Sequence, residues 1–339
     1  MVAGRAPRTK SELNPAMTSS EKLLDLQDGL TLAYEEKGDS SSSNVVIFFH
    51  GIFSVGIAYE LPPAFETRQI HYIAPTLPGW GNSSPVPANT TYHDYLYRCI
   101  TALLQHTHPN ADDLKLYLSG GSFGTVPAQL LYGAPYDKFP YGKHIVAMLL
   151  LAPFSPFYCH KEYAKQMSWI SWIGVGPLTK YIPGHMLARL GARAIKSKIN
   201  TPEGAKAFIN DFVFKNMKPK EMEAFRAWKA RKNLRDGEEL DPMADGIYRS
   251  MQKTSQGFLV VADVLHSDWG GYNPTELDGE HAKPAMFVLT KEDKETKWMG
   301  EWLASKLPGS SIRYEEGGHV GSLFVMDDIW EDFMTRYSS

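Results

Sequence analysis

Five short, mostly apolar runs constrain this chain more than any other feature: VVIFF (45–49), IHYIA (70–74), LKLYL (114–118), IVAMLLL (145–151) and AMFVL (285–289). Each is bounded by Gly, Pro or polar residues and none carries a continuous polar face. Runs of this length suit strands buried on both sides of a parallel sheet. Helical patterns lie between them. In TYHDYLYRCITALLQ (91–105), Tyr92, Tyr95, Leu96, Cys99, Ile100, Leu103 and Leu104 keep the spacing of one helix face, and Thr91 with Asp94 forms a capping box. Further helices are expected from about Trp298 to Leu307 and from about Ser322 to Arg336. KLLDLQ and LTLAYEE flank Asp28-Gly29 as a hairpin.

Strands alternating with helices imply an α/β fold: a mostly parallel, doubly wound, eight-stranded sheet. The alternation stops near Pro156 and resumes near Lys283. The expected organisation is a disordered tail at 1–20, a core formed by 21–156 and 269–339, and a helical cap inserted at 157–268.

The 339 residues suffice for one large domain with such an insertion, and a net charge of −3 disfavours nucleic acid as a partner. Two cysteines, Cys99 and Cys159, cannot build a disulfide scaffold and suit a reducing compartment. Residues 1–20 lack the apolar stretch of a secretory signal, and no apolar run approaches the ~20 residues of a membrane span. The expectation is a cytoplasmic protein without a transmembrane segment.

Gly120-Gly121-Ser122-Phe123-Gly124 fits G-x-S-x-G and lies directly after a strand and before a helix, the context in which that motif marks a nucleophile elbow. The turn projects a hydroxyl only if its neighbours have almost no side chain. A serine then needs a base, and the base needs a carboxylate to hold its tautomer. Asp293 follows AMFVL and His319 follows SIRYEE, each just past the C-terminal end of a strand, where catalytic groups gather in open α/β sheets. The order Ser122, Asp293, His319 is the one this elbow predicts. Glu292 and Asp268 are the alternatives for the acid. Of two oxyanion donors, the N–H of Phe123 is one. The other is expected from the HGIF loop, at Ile52 or, failing that, Phe53. His50 reads as a loop-ordering side chain, and no His/Cys cluster has metal spacing.

With HGIF, LPGWGNSSP, GGSFG, TKEDKE and GGHVG in this order from about Leu23 to His319, the chain resembles α/β-hydrolase fold proteins with a helical cap. The resemblance implies a Ser-Asp-His serine hydrolase that cleaves an ester, thioester or related acyl bond without a cofactor, beneath a cap that selects a largely apolar small-molecule substrate. It also leaves open a C–C bond hydrolase or cyclase, a proline-iminopeptidase-like peptidase, and a non-catalytic ligand-binding protein. Ser122 stands where the similar epoxide hydrolases and haloalkane dehalogenases carry aspartate, which disfavours their chemistries. HGIF lacks the extra Gly and Pro usual in the iminopeptidases. Thr76 stands where relatives often have Asp. Oligomeric state is not legible.

The cap holds 18 Lys+Arg against 12 Asp+Glu, an excess of +6, with a basic concentration at 215–235. An amphipathic helix with Met222, Phe225 and Trp228 inward explains that run more simply than attraction to an anionic substrate or membrane. Met167, Trp169, Trp172 and Met186 are candidates for an apolar pocket or for ordinary packing.

Overall fold

The structure, a computed structural model, describes residues 20–110, 112–182 and 185–338. Apart from Ser20, the expected tail at 1–20 lies outside the described residues. Each of the five apolar runs is a strand. The sheet comprises β1 Lys22–Asp25, β2 Thr31–Gly38, β3 Asn44–Phe49, β4 His71–Pro75, β5 Lys115–Gly121, β6 Ile145–Leu151, β7 Ala285–Thr290 and β8 Ser310–Glu315. Their spatial order is β1-β2-β4-β3-β5-β6-β7-β8. β2 runs antiparallel to both β1 and β4, and the remaining pairs are parallel.

Successive side chains of the central strands enter different cores, as a period of two requires. Leu116 and Leu118 of β5, with Met148 and Leu150 of β6, pack with the helix Tyr92–Thr107 on one face. Tyr117, Leu149 and Val288 pack on the other face with Ile329, Trp330 and Phe333 of the helix Met326–Tyr337. This double burial is why the strand sequences show no polar stripe. β8, at the edge, alternates between exposed and partly buried positions.

Local signals set the helix limits. Thr91 accepts the N–H of Asp94 (3.2 Å) and opens the helix Tyr92–Thr107, on which Cys99 is buried. The helix expected from Trp298 starts earlier, spanning Lys294–Ala304, because Asp293 caps it. The last helix is preceded by a tighter turn at Gly321–Val325, so its α-helical part begins at Met326.

Between β6 and β7 the described elements are all helical. The principal ones are Trp169–Gly174, Met186–Lys198, Pro202–Phe212, Pro219–Arg231 and Asp241–Ser250. Pro202 and Pro219 occupy first helical positions, where no N–H is needed. Phe225 is buried and Trp228 half-buried, both against Phe324 at ring separations of 5.3 and 5.7 Å. Trp169, Trp172 and Met186 are exposed and lie outside the buried core; Met167 packs at the core margin. Among the described residues no helix is long and apolar enough to cross a membrane.

Candidate active site

The register of β3 on β5 runs from Asn44↔Lys115 to Phe49↔Gly120, which brings the HGIF loop against the turn after β5. At that turn Ser122 takes φ +52°, a left-handed conformation that costs energy for a side-chain-bearing residue. Its flanking glycines are sterically required. A Cβ on Gly124 would stand 2.0 Å from the carbonyl oxygen of Phe49, and one on Gly120 would stand 2.2 Å from that of Gly124. The turn is further held by Thr125, whose hydroxyl donates to Ser122 O (2.6 Å) and accepts the N–H of Phe154 (3.1 Å). Gln129 donates to the carbonyls of Thr125 and Phe154, locking the elbow to the chain leaving β6.

β7 and β8 pair up to Thr290↔Glu315, so the loops that follow them emerge side by side. His319 Nε2 lies 2.8 Å from Ser122 Oγ, and its Nδ1 lies 2.6 Å from Asp293 Oδ2. With Nδ1–H donating to Asp293, Nε2 is free to accept the Ser122 hydroxyl proton. Asp293 also accepts from Thr296 N (3.2 Å) and Thr296 Oγ1 (2.5 Å), so one carboxylate caps a helix and orients the imidazole. Of the alternative acids, Glu292 is exposed. Asp268 caps the turn Trp269–Gly271 through Gly270 N.

Burial opposes charge on His319, but the hydrogen bond and charge of Asp293, aided by Glu295, outweigh it and raise its pKa above the usual 6.5. The ring still keeps 37% of its side-chain surface open, so solvent moderates that support. Burial likewise opposes charge on Asp293, and its bonds to His319 and Thr296 prevail, holding the carboxyl below 3.8. His50 accepts the N–H of Leu77 at Nε2 (2.9 Å) and donates from Nδ1 to Gly51 O (2.7 Å). Burial lowers its pKa to about 4, so it stays neutral and orders the loop. Thr76 is also buried and accepts the N–H of Gly56 (2.9 Å), a short polar acceptor filling a structural role.

Ser122 and His319 open into a cavity of about 260 Å³ that is apolar over most of its wall. Ile52 and Phe53 line it from the HGIF loop, as do Phe208, Ile209, Phe212 and Val213 from the helix Pro202–Phe212 and the residue after it. Met243 and Ile247 complete that wall from the helix Asp241–Ser250. Phe123 is the second residue of the helical turn Ser122–Gly124, where an N–H lacks an intrahelical acceptor. Sequence reasoning did not single out Thr125, Gln129 or Glu221. Glu221, buried in the insertion, accepts the N–H of Gly318 (3.3 Å) and braces the loop that carries His319. Its sequence sign is an acid in the first turn of the helix that Pro219 opens.

A strained serine after β5, with its histidine and aspartate past β8 and β7 of a mostly parallel sheet, defines an α/β hydrolase. A family model described as the alpha/beta hydrolase family matches residues 46–333, and the chain belongs to that family. Among curated proteins none matches the sequence. Solved structures with the same fold include an esterase from Exiguobacterium antarcticum, at 18% identity and TM-score 0.56, covering 94% of this chain and 99% of that one. A thermophilic esterase from Thermogutta terrifontis aligns at 15% identity and TM-score 0.53 over 94% and 97% of the two chains. A bromoperoxidase from Bacillus anthracis aligns at 15% identity and TM-score 0.59 over 93% and 99%.

Proposed function

We propose that this α/β hydrolase cleaves an ester, thioester or related acyl bond through an acyl-enzyme on Ser122. The hydrogen-bonded series Ser122–His319–Asp293, opening into an apolar cavity, carries the reading. Ser122 Oγ attacks the acyl carbon as its proton passes to His319 Nε2, and Asp293 stabilises the imidazolium. The backbone N–H groups of Phe123 and Ile52 receive the oxyanion. His319 returns the proton to the leaving alkoxide or thiolate, and water repeats the sequence to release the acid.

The helical insertion acts as a cap: the walls it contributes around Phe208, Ile209 and Ile247 make the cavity suited to an aliphatic or aromatic acyl group. The esterase names among the structural neighbours agree with this chemistry.

A fluorophosphonate probe tests the assignment. Wild-type protein is expected to be labelled and to turn over p-nitrophenyl esters, and Ser122→Ala to do neither. Labelling that persists in Ser122→Ala, or a wild type that neither labels nor hydrolyses, would refute it.

A further inference from the structure

The insertion's positive charge divides into two populations. In the 215–235 run, Lys229 pairs with Asp236 and Glu239, Lys232 with Glu60 and Asp327, and Lys220 with Glu316. That run is largely neutralised. Segment 161–200 holds seven Lys and Arg side chains against one acid, Glu162, a net charge of +6. Lys165 reaches Glu162, but Lys161, Lys180, Arg189, Arg193 and Lys198 form no ion pair among the described residues.

The same segment exposes most of the large apolar side chains that the insertion leaves in water. Tyr181 is 81% and Trp169 73% exposed, and Ile170, Met186 and Leu190 are each more than half exposed. The elements that carry them are adjacent, the helix Trp169–Gly174 packing on the turn Pro177–Tyr181. Gly174, at the end of the tryptophan-bearing helix, shares the wall of one small cavity with Thr179, Ile182 and Met186. On the helix Met186–Lys198 the exposed positions Met186, Arg189, Leu190, Arg193 and Lys198 recur at helical spacing, whereas Ala192 is buried. Gly191 packs against Phe258, whose ring stacks on Phe53 at 5.1 Å, so this helix lies outside the roof of the Ser122 cavity.

Single exposed apolar residues are ordinary on soluble proteins, but a contiguous group interleaved with unpaired cations is an interaction surface. A second copy of the chain is a poor occupant, because two faces carrying Lys180, Arg189, Arg193, Lys196 and Lys198 would meet with like charge. Trp and Tyr beside the Arg and Lys of a short amphipathic helix match the boundary between lipid headgroups and acyl chains, where cations meet phosphates and rings lie among the carbonyls. We propose that the face formed by the helices Trp169–Gly174 and Met186–Lys198 seats the protein on an anionic lipid surface, reversibly and in the plane of the interface.

Cosedimentation of the full chain with vesicles tests this, using phosphatidylcholine alone and phosphatidylcholine mixed with phosphatidylserine. Binding is expected to be about tenfold or more stronger on the mixed vesicles and to fall as salt rises. Trp169→Ser/Trp172→Ser and Arg189→Glu/Arg193→Glu should each weaken binding by about tenfold, with unchanged melting and unchanged hydrolysis of a water-soluble short-chain ester. Equal recovery on both vesicle types, wild-type binding by either variant, or no vesicle binding would overturn the proposal. The soluble-ester rate reports on Ser122 separately, so failure of one reading leaves the other readable.

Discussion

Arg249 Nη1 donates to Glu35 Oε1 at 2.9 Å, joining the helix Asp241–Ser250 of the insertion to β2 across 214 positions of sequence. Glu35 is fully buried and also accepts the N–H of Ala58 (2.9 Å). Arg249 reaches Asp245 and Glu21 as well. Removing the guanidinium breaks this buried ion pair, a loss of about 3–5 kcal/mol. Arg249→Leu should therefore unfold at markedly lower urea. Glu35→Gln/Arg249→Leu, which keeps an acceptor for Ala58 N, should recover much of that stability. A double variant no more stable than the single would show that the pair is not the source. Met243 and Ile247 ride on the same helix, so KM for an apolar ester should rise in the single variant.

The pH dependence follows from His319 and Asp293. The base works only when neutral, and its pKa is raised above 6.5 against the opposing effect of burial. The acid limb of kcat/KM should therefore have its midpoint above 6.5, with activity rising as pH increases through it. Asp293→Asn removes the charge that raises the pKa and leaves the burial that lowers it. Its midpoint should move down, and kcat should fall by about three to four orders of magnitude. An unshifted limb in the variant would assign that ionisation to another group.

Strand positions, and the three residues that hydrogen-bond in series at Ser122, were legible because each depends on local sequence. A buried strand announces itself by lacking a polar stripe, and Ser122, Asp293 and His319 each follow their own strand within a few residues. The cavity wall was not legible. Periodicity marks which side of a helix is apolar but not what will cover it, so Trp169, Trp172 and Met186 stood as pocket candidates while Phe208 and Ile209 were not singled out. Tertiary placement decides: the former face water and the latter face Ser122. Glu221 and Thr125 were missed for the same reason, because their partners lie 97 and 29 residues away.

The elbow glycines make a steric prediction. Gly124→Ala must displace the backbone of Phe49 or His50, both within 2.7 Å of the new Cβ, at a cost of about 3 kcal/mol or more, the upper range for an overfilled core. Gly174 has nothing within 4 Å of a new Cβ, so Gly174→Ala should change stability by less than about 1 kcal/mol. Thermal melts of the two variants check the contrast. Equal melting temperatures would mean that the elbow is not tightly packed.

Cavity size sets the last expectation. Val213 is nearly buried and lines the cavity beside Ile209 and Phe212. Val213→Phe directs a ring into a space of about 260 Å³, removing room for several acyl carbons while leaving Ser122, His319 and Asp293 untouched. Short esters should keep kcat/KM within about threefold of wild type. Longer acyl chains should lose about tenfold or more, since each buried methylene contributes roughly 0.8 kcal/mol of binding. A p-nitrophenyl series from acetate to decanoate reads this directly. A uniform drop across the series would indicate general damage to the fold, and an unchanged preference would mean that the acyl chain lies elsewhere.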